Sequence, residues 1–355
     1  MMKHFRFALF LIAALAFNLN VNAQYVTSHA KIVMPGQQKG MYYALPRTVI
    51  QLDFIVEEIE LIEGPYSDYV YLVGADEYVT GNGKEYRLAD VRMSTYAEAD
   101  PNATFFVAMN TKKGEGAEFV LNSKGILQGI GIEPAVTAEP PVFQMYPQNV
   151  AKADKSFKYQ YGSNAMRGEE QLAHNAAEMV SRIREEKIKL ITGFQETPFT
   201  LETYRQMLAD LEEMEAEYLS LFIGKRIVTT TVKTVYVTPT KEVPTQTIGK
   251  FSPITGFTTN VAGVGTLITL QAISLNTTGN INEPSQSAVE SLSHENKLFY
   301  RIPETVNVRL TIGNETKIDR RETMAQFGVF MLAPLGRNKM TLDPNTGQII
   351  SMGME

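Results

Sequence analysis

Apolar and polar residues alternate along most of this chain, and the period changes to that of a helix in one region only. Between residues 48 and 56, Ile50, Leu52, Phe54 and Val56 fall on one side of an extended segment, a period of two that predicts a strand. Further strands are predicted at residues 85–93, 104–110 and 117–122. Ser123-Lys124-Gly125 then turns the chain into 126–130 as a hairpin. Gly64-Pro65 before residues 66–73 and Gly74 after them predict a short helix, with proline at its start and glycine past its end. The period changes near residue 166. Leu172, Ala176, Met179, Ile183, Lys187 and Ile191 lie along one stripe, and Gly193 supplies a C-terminal cap. A second helix starts at the N-cap Thr200. Phe199 and Tyr204 flank it as a staple, Glu202 complements the dipole, and Leu201, Leu208, Leu211, Tyr218 and Phe222 form its apolar side up to Gly224. Beyond Gly224 the pattern is β throughout, with strands predicted at 227–238, 247–252, 264–273, 298–302, 306–312 and 326–332. Residues 276–293 are polar and read as a surface loop.

These elements predict an α+β protein. An N-terminal mixed domain would span 24–132 and a linker 133–164, where Glu133-Pro134 and Glu139-Pro140-Pro141 interrupt regular structure. The short connection 192–199 makes the two helices an antiparallel helical hairpin at 165–224. Several short strands separated by turns make 225–355 an antiparallel β-sandwich-like domain.

The first 23 residues stand apart. Lys3 and Arg6 precede an unbroken apolar run, Phe7 to Phe17, and Val21-Asn22-Ala23 has the small residues of a cleavage site. That is the pattern of a signal peptide, with Gln24 as the expected mature N-terminus. The run is too short to span a bilayer, which takes about 20 residues. Export to the periplasm, the outer membrane or the cell exterior is therefore expected. Without residues 1–23 the chain carries 31 basic against 39 acidic side chains, and no basic block stands out, which argues against a nucleic-acid partner. The chain has no cysteine, so disulfides, thiolate metal sites, a cysteine nucleophile and a cysteine-linked lipid anchor are all excluded.

Two short patterns recur. Tyr43-Ala44-Leu45-Pro46-Arg47-Thr48-Val49 is echoed by Tyr300-Arg301-Ile302-Pro303-Glu304-Thr305-Val306. Downstream of each, Leu121-Asn122-Ser123-Lys124-Gly125 is echoed by Leu342-Asp343-Pro344-Asn345-Thr346-Gly347. Two matches in the same order suggest a diverged duplication. The signal peptide, Tyr42-Tyr43-Ala44-Leu45-Pro46, Gly64-Pro65-Tyr66, Ile191-Thr192-Gly193, Phe222-Ile223-Gly224, Tyr300-Arg301-Ile302-Pro303, Gln326-Phe327-Gly328 and the closing Asp343 to Gly347 turn together carry a resemblance. The chain resembles an uncharacterised family of exported proteins from Bacteroides and relatives, classed as a domain of unknown function. The resemblance implies an envelope location and no activity.

Candidate chemistry is sparse. His29, His174 and His294 lack metal-binding spacing, and no G-x-S-x-G elbow supports a triad. Asp343-Pro344-Asn345-Thr346-Gly347 has the start of a calcium loop but lacks its twelfth-position glutamate, so it reads as a turn. Paired carboxylates cannot be chosen among 39 acids, and the chain has no tryptophan to stack on a sugar. The acidic run from Asp210 to Glu217 reads as a solvated face, and Phe194 reads as tucked beneath the helices or facing a partner. No catalytic, cofactor-binding or metal residue is assigned and no cofactor is implied. The expected role is binding or scaffolding in the cell envelope, toward an envelope protein or a glycan. The alternative is a carboxylate-based hydrolase acting on glycans.

Overall fold

Long, bent strands carry the fold in the computed structural model, which describes residues 25–33, 39–109, 118–133, 155–159, 168–192, 200–335 and 338–354. The chain is mostly β, in three antiparallel sheets of which one curls into a half-barrel. The first has the order β10-β1-β3-β2-β6, from β1 (Tyr25–His29), β2 (Gly40–Ile62), β3 (Gly83–Met109), β6 (Lys225–Val237) and β10 (Ser293–Glu295). The second has the order β12-β11-β9-β7-β8, from β7 (Thr245–Ser252), β8 (Gly256–Thr258), β9 (Thr266–Ser274), β11 (Lys297–Ile312) and β12 (Glu315–Pro334). The third has the order β14-β13-β5-β4, from β4 (Phe119–Leu121), β5 (Leu127–Ile130), β13 (Asn338–Leu342) and β14 (Ile349–Met354).

This corrects the expected α+β architecture of an N-terminal mixed domain, a helical hairpin and a C-terminal β-sandwich-like domain. The first sheet takes β6 and β10 from beyond residue 224, and the third pairs β5 with β13, so pairing crosses both expected limits. Pairing between distant segments is set by tertiary contact, and alternation within a segment does not encode it. Prolines mislead in the same way. The expected strands at 85–93 and 104–110 are one strand, β3, and those at 298–302 and 306–312 are one strand, β11. Pro101 and Pro303 sit inside these strands because each falls at a break in register. Between Ala44 and Pro46 the β2–β3 register steps from Thr104 to Ala99. Between Ile302 and Glu304 the β11–β12 register steps from Val329 to Met324. A bulge leaves residues out of the ladder, so proline's missing donor costs nothing there.

The helical elements are a minor layer. The short helix expected at 66–73 is a 3-10 segment, Ser67–Leu72. Helix α1 (Glu169–Thr192) and helix α2 (Leu201–Ile223) contact each other, and Thr200 caps α2 by accepting from the Thr203 N–H. The acidic run of α2 is not simply solvated. Glu215 pairs with Arg184 and Lys187 of α1, Glu217 with Lys225, and Glu213 with Lys158. Ala173, Ala176, Val180, Leu221 and Phe222 bury themselves with Tyr66 beside the sheet. At Gly224, with φ +76°, the chain leaves α2 and enters β6 directly, and a side chain there would strike Ile62 O. A third helix, α3 (Gln286–Ser291), lies within the segment expected as a loop. Among the described residues, no helix is long and apolar enough to cross a membrane. Residues 1–24, Phe194 and most of the expected linker lie outside the described residues.

Besides this helical cluster, two apolar cores lie among the sheets. One lies between the first and second sheets and centres on Leu52, Phe54, Ile268, Val308 and Phe327. The other gathers side chains of all three sheets, including Tyr43, Phe105, Leu127, Phe299 and Met340. Phe105 stacks between Tyr43 and Phe299, with ring centroids 5.5 and 4.5 Å away. Tyr43 reaches across the core, where its hydroxyl accepts from Phe299 N at 3.0 Å and lies 3.2 Å from Phe299 O.

The two sequence echoes have matching contacts. Ala44 N donates to Gly125 O at 3.0 Å, and Arg301 N donates to Gly347 O at 3.1 Å. Both glycines have φ +77°, a backbone conformation that favours glycine. Asn122 and Asp343 begin the two turns, each accepting at its side-chain oxygen from the backbone N–H two residues on. The environments are not identical, since Tyr43 is buried whereas Tyr300 is half-buried. Phe105→Ala should lower stability by about 3–5 kcal/mol, because the removed ring touches aromatic groups of both long hairpins. Chemical denaturation of the full chain measures this, and a midpoint equal to wild type would show that the stack does not join the sheets.

Candidate functional site

Two cavities, each of about 530 Å³, flank β12: one opens where the β2–β3 and β11–β12 hairpins meet, and the other lies between β12, β9 and residues 276–283. Lys241 and Glu283 line both, so the two adjoin at the edge of β12 as compartments of one cleft. Its floor is built from the two register breaks. Strand alternation points Arg301 inward beside Phe299, where it is only 4% exposed. Its Nη1 donates to Pro46 O at 2.6 Å, and its Nη2 donates to Asp100 Oδ2 at 3.0 Å. Asp100 is also buried and stands at the start of the break in β3, where its Oδ1 accepts from Asn102 N. Phe330 of β12 covers the guanidinium, 4.7 Å from the ring centroid. Burial pulls the Arg301 pKa below its ordinary value, and the Asp100 carboxylate opposes that pull. The pair is thus a buried, oriented charge pair that joins one hairpin to the other.

His29 supports the same corner. Its Nδ1 accepts from Lys31 N at 3.2 Å, which places the ring proton on Nε2, 3.0 Å from Asn102 O. Gln326, in the break of β12, clamps the facing strand. Its Oε1 accepts from Thr48 N, and its Nε2 donates to Thr48 O and Pro239 O.

On the other side of the cleft Glu304 is almost fully buried, at 1% exposure. Thr277 and Thr278 each donate a backbone N–H and a hydroxyl to its carboxylate, at 2.6 to 3.0 Å, and Thr305 N donates as well. Burial pushes this carboxyl up, but the Thr277 and Thr278 hydrogen bonds outweigh it and hold the pKa at about 2. The polar stretch 276–293, expected as a surface loop, therefore supplies the clamp on Glu304.

No motif marks these residues in the sequence. The available signal is charge at inward positions of otherwise apolar strands, Arg301 after Phe299 and Glu304 before Val306. The candidate metal residues lie elsewhere. His174 is on the exposed side of α1, and His294 is on β10, opposite Thr27. Asp343 spends its carboxylate inside its own turn, accepting from Asn345 N and Thr346 Oγ1. Among the described residues, no three histidine and carboxylate groups gather closely enough to hold a metal ion.

Residues 39–350 match the family described as a domain of unknown function, DUF4831, and the chain belongs to that family. Neither a curated protein nor a solved structure matches it.

Removing one member of the Arg301–Asp100 pair should cost more than removing both. Asp100→Asn or Arg301→Met alone leaves a buried, unpaired group and should destabilise by about 3–5 kcal/mol, with the double variant recovering part of the loss. Additive losses in a double-mutant cycle would show that the two groups do not act as a pair. Glu304 predicts a separate pH dependence. Its folded pKa is depressed from 4.5 to about 2, so its contribution is complete above pH 4.5 and fades as the pH falls toward 2. The shift corresponds to about 3 kcal/mol. Glu304→Gln should be less stable at pH 7, and the difference from wild type should shrink between pH 4.5 and 2. A difference independent of pH across that window would show that the charge is not what the threonines hold.

Proposed function

We propose that this protein is exported to the cell envelope of a Bacteroides-type organism and serves there as a binding or scaffolding protein, with the cleft between its two long hairpins as the binding site. Export is supported by the basic start, the apolar run and the Val21-Asn22-Ala23 site. The matching turn contacts of the two echoes support a diverged duplication, in which the cavity around Asp100 and Arg301 would lie where the two copies meet. The observation that carries the binding reading is the state of the cleft's buried charges. Asp100 is consumed by Arg301, and Glu304 is held as a carboxylate at about 2 by hydrogen bonds. A glycosidase needs a carboxyl with a raised pKa to protonate the leaving oxygen, and Glu304 is tuned the opposite way. Fixed charges and an aromatic face orient a ligand and move no proton.

Two measurements test this reading. Mass spectrometry of native protein should find Gln24 as the N-terminus, whereas a chain retaining Met1 would sink the export claim. For the cleft, Glu283→Lys should abolish cross-linking of purified protein to envelope material, and Lys317→Glu, near the tip of the β11–β12 hairpin and outside the cleft lining, should leave it intact. Equal cross-linking by both variants would remove the cleft as the binding site.

A further inference from the structure

β12 is the edge strand of its sheet. Phe330 N–H does not enter the ladder with β11. It donates instead to Glu283 Oε1 at 2.9 Å. In an antiparallel pair, N–H and C=O of one residue point to the same side, and the sides alternate along the strand. Phe330 and Leu332 therefore turn their backbone groups away from β11, and Gly328 lies in the register break, out of the ladder. Gly328 O is directed away from β11, since Lys241 Nζ reaches it at 3.5 Å. A carboxylate on an outward N–H and an ammonium on an outward C=O, two residues apart, stand where the C=O and N–H of a further strand would stand.

The two cavities are arranged around this edge. Phe327 and Val329 face one cavity, and Gln326, Gly328 and Phe330 face the other. The cavities thus lie on opposite faces of β12, and Lys241 and Glu283, which line both, bridge its edge. A strand laid along the edge would send successive side chains into the two cavities in turn, because side chains alternate with a period of two. The lining carries Asp100, Glu242, Glu283, Glu290 and Glu304 against the cations Lys31, Lys241 and Arg301, so its excess charge is negative.

We propose that the cleft takes up an extended, basic peptide segment of a partner protein as an added strand on the outer edge of β12, displacing Glu283 and Lys241 from Phe330 N–H and Gly328 C=O. Backbone pairing supplies affinity, and the two cavities select alternate side chains, a known mode of peptide recognition. This rests on the cleft being the binding site and names the class of partner. Until the strand arrives, the two side chains cover the edge and keep it from pairing indiscriminately.

The probe is a displayed random heptapeptide library, selected on the immobilised full chain. Enriched peptides should carry Lys or Arg and bind with a defined register. A selected peptide is then made with its alternate backbone nitrogens methylated, in the two possible sets. One set should weaken binding by about tenfold or more and the other should not, because only one set faces the edge. Phe330→Pro deletes the outward donor while sparing the bonds to β11, and should weaken binding about tenfold beyond Phe330→Ala, which removes only the ring over Arg301. Glu283→Ala, which leaves β12 intact, should tighten binding several-fold by removing the internal competitor. Enrichment of no peptide, equal effects of the two methylation sets, or unchanged binding in Glu283→Ala would overturn strand addition. If envelope cross-linking is still lost in Glu283→Lys in that event, the cleft remains the binding site, with a glycan or a folded surface as its ligand.

Discussion

The contact between the two long hairpins holds the rest of the structure in place. It is made by unlike parts that each depend on burial. Tyr43 engages the backbone of Phe299, Phe105 stacks between them, and Arg301 reaches Pro46 and Asp100 of the other hairpin. The apolar part supplies the driving force, since aromatic side chains of this size bury on the order of 150–250 Å² each. The polar part supplies orientation. A buried guanidinium must find its acceptors, so the two hairpins are constrained to the relative position that brings Arg301 to Asp100.

The register breaks are as consequential as the contact itself. A regular ladder at residues 44–46 and 302–304 would pair every backbone group and leave no floor for a cleft. The breaks release Asp100 and Gln326 from their ladders to point at the opposite hairpin, and Asn102 to meet His29 of β1. Prolines 46, 101 and 303 are compatible with these places for the same reason that they are unwelcome in an unbroken strand. Local irregularity, the joining of two halves and the site all have one physical origin.

Charges in the cleft are held in two different ways. Glu304 is fixed by four donors from Thr277 and Thr278, and the cost of burying it is offset by those bonds. Its surroundings would change little on binding a ligand. Glu283 and Lys241 differ. Each is tied to a backbone group at the edge of β12 through one contact.

The period-two runs at 48–56 and 227–238, the cap at Thr200, the ends of α2 and the hairpin turns at Asn122 and Asp343 are legible in the chain because each is decided within a few residues. Capping, turn formation and amphipathicity are local properties, and local sequence determined them. The absence of cysteine likewise means, from composition alone, that no disulfide braces the protein. What the chain does not disclose is partnership. Nothing near Lys225 says that β6 pairs with β2, nothing near Ser293 says that β10 pairs with β1, and the prolines read as strand ends when they mark breaks within longer strands. Histidine spacing and catalytic motifs do not mark the cleft because its partners are far apart in the chain, by 201 positions for Arg301 and Asp100 and by 47 for Glu283 and Phe330. An arginine among apolar strand residues is visible in the sequence. Which carboxylate neutralises it, and whether the surrounding space is open or filled, is decided only when distant backbones pack and exclude water.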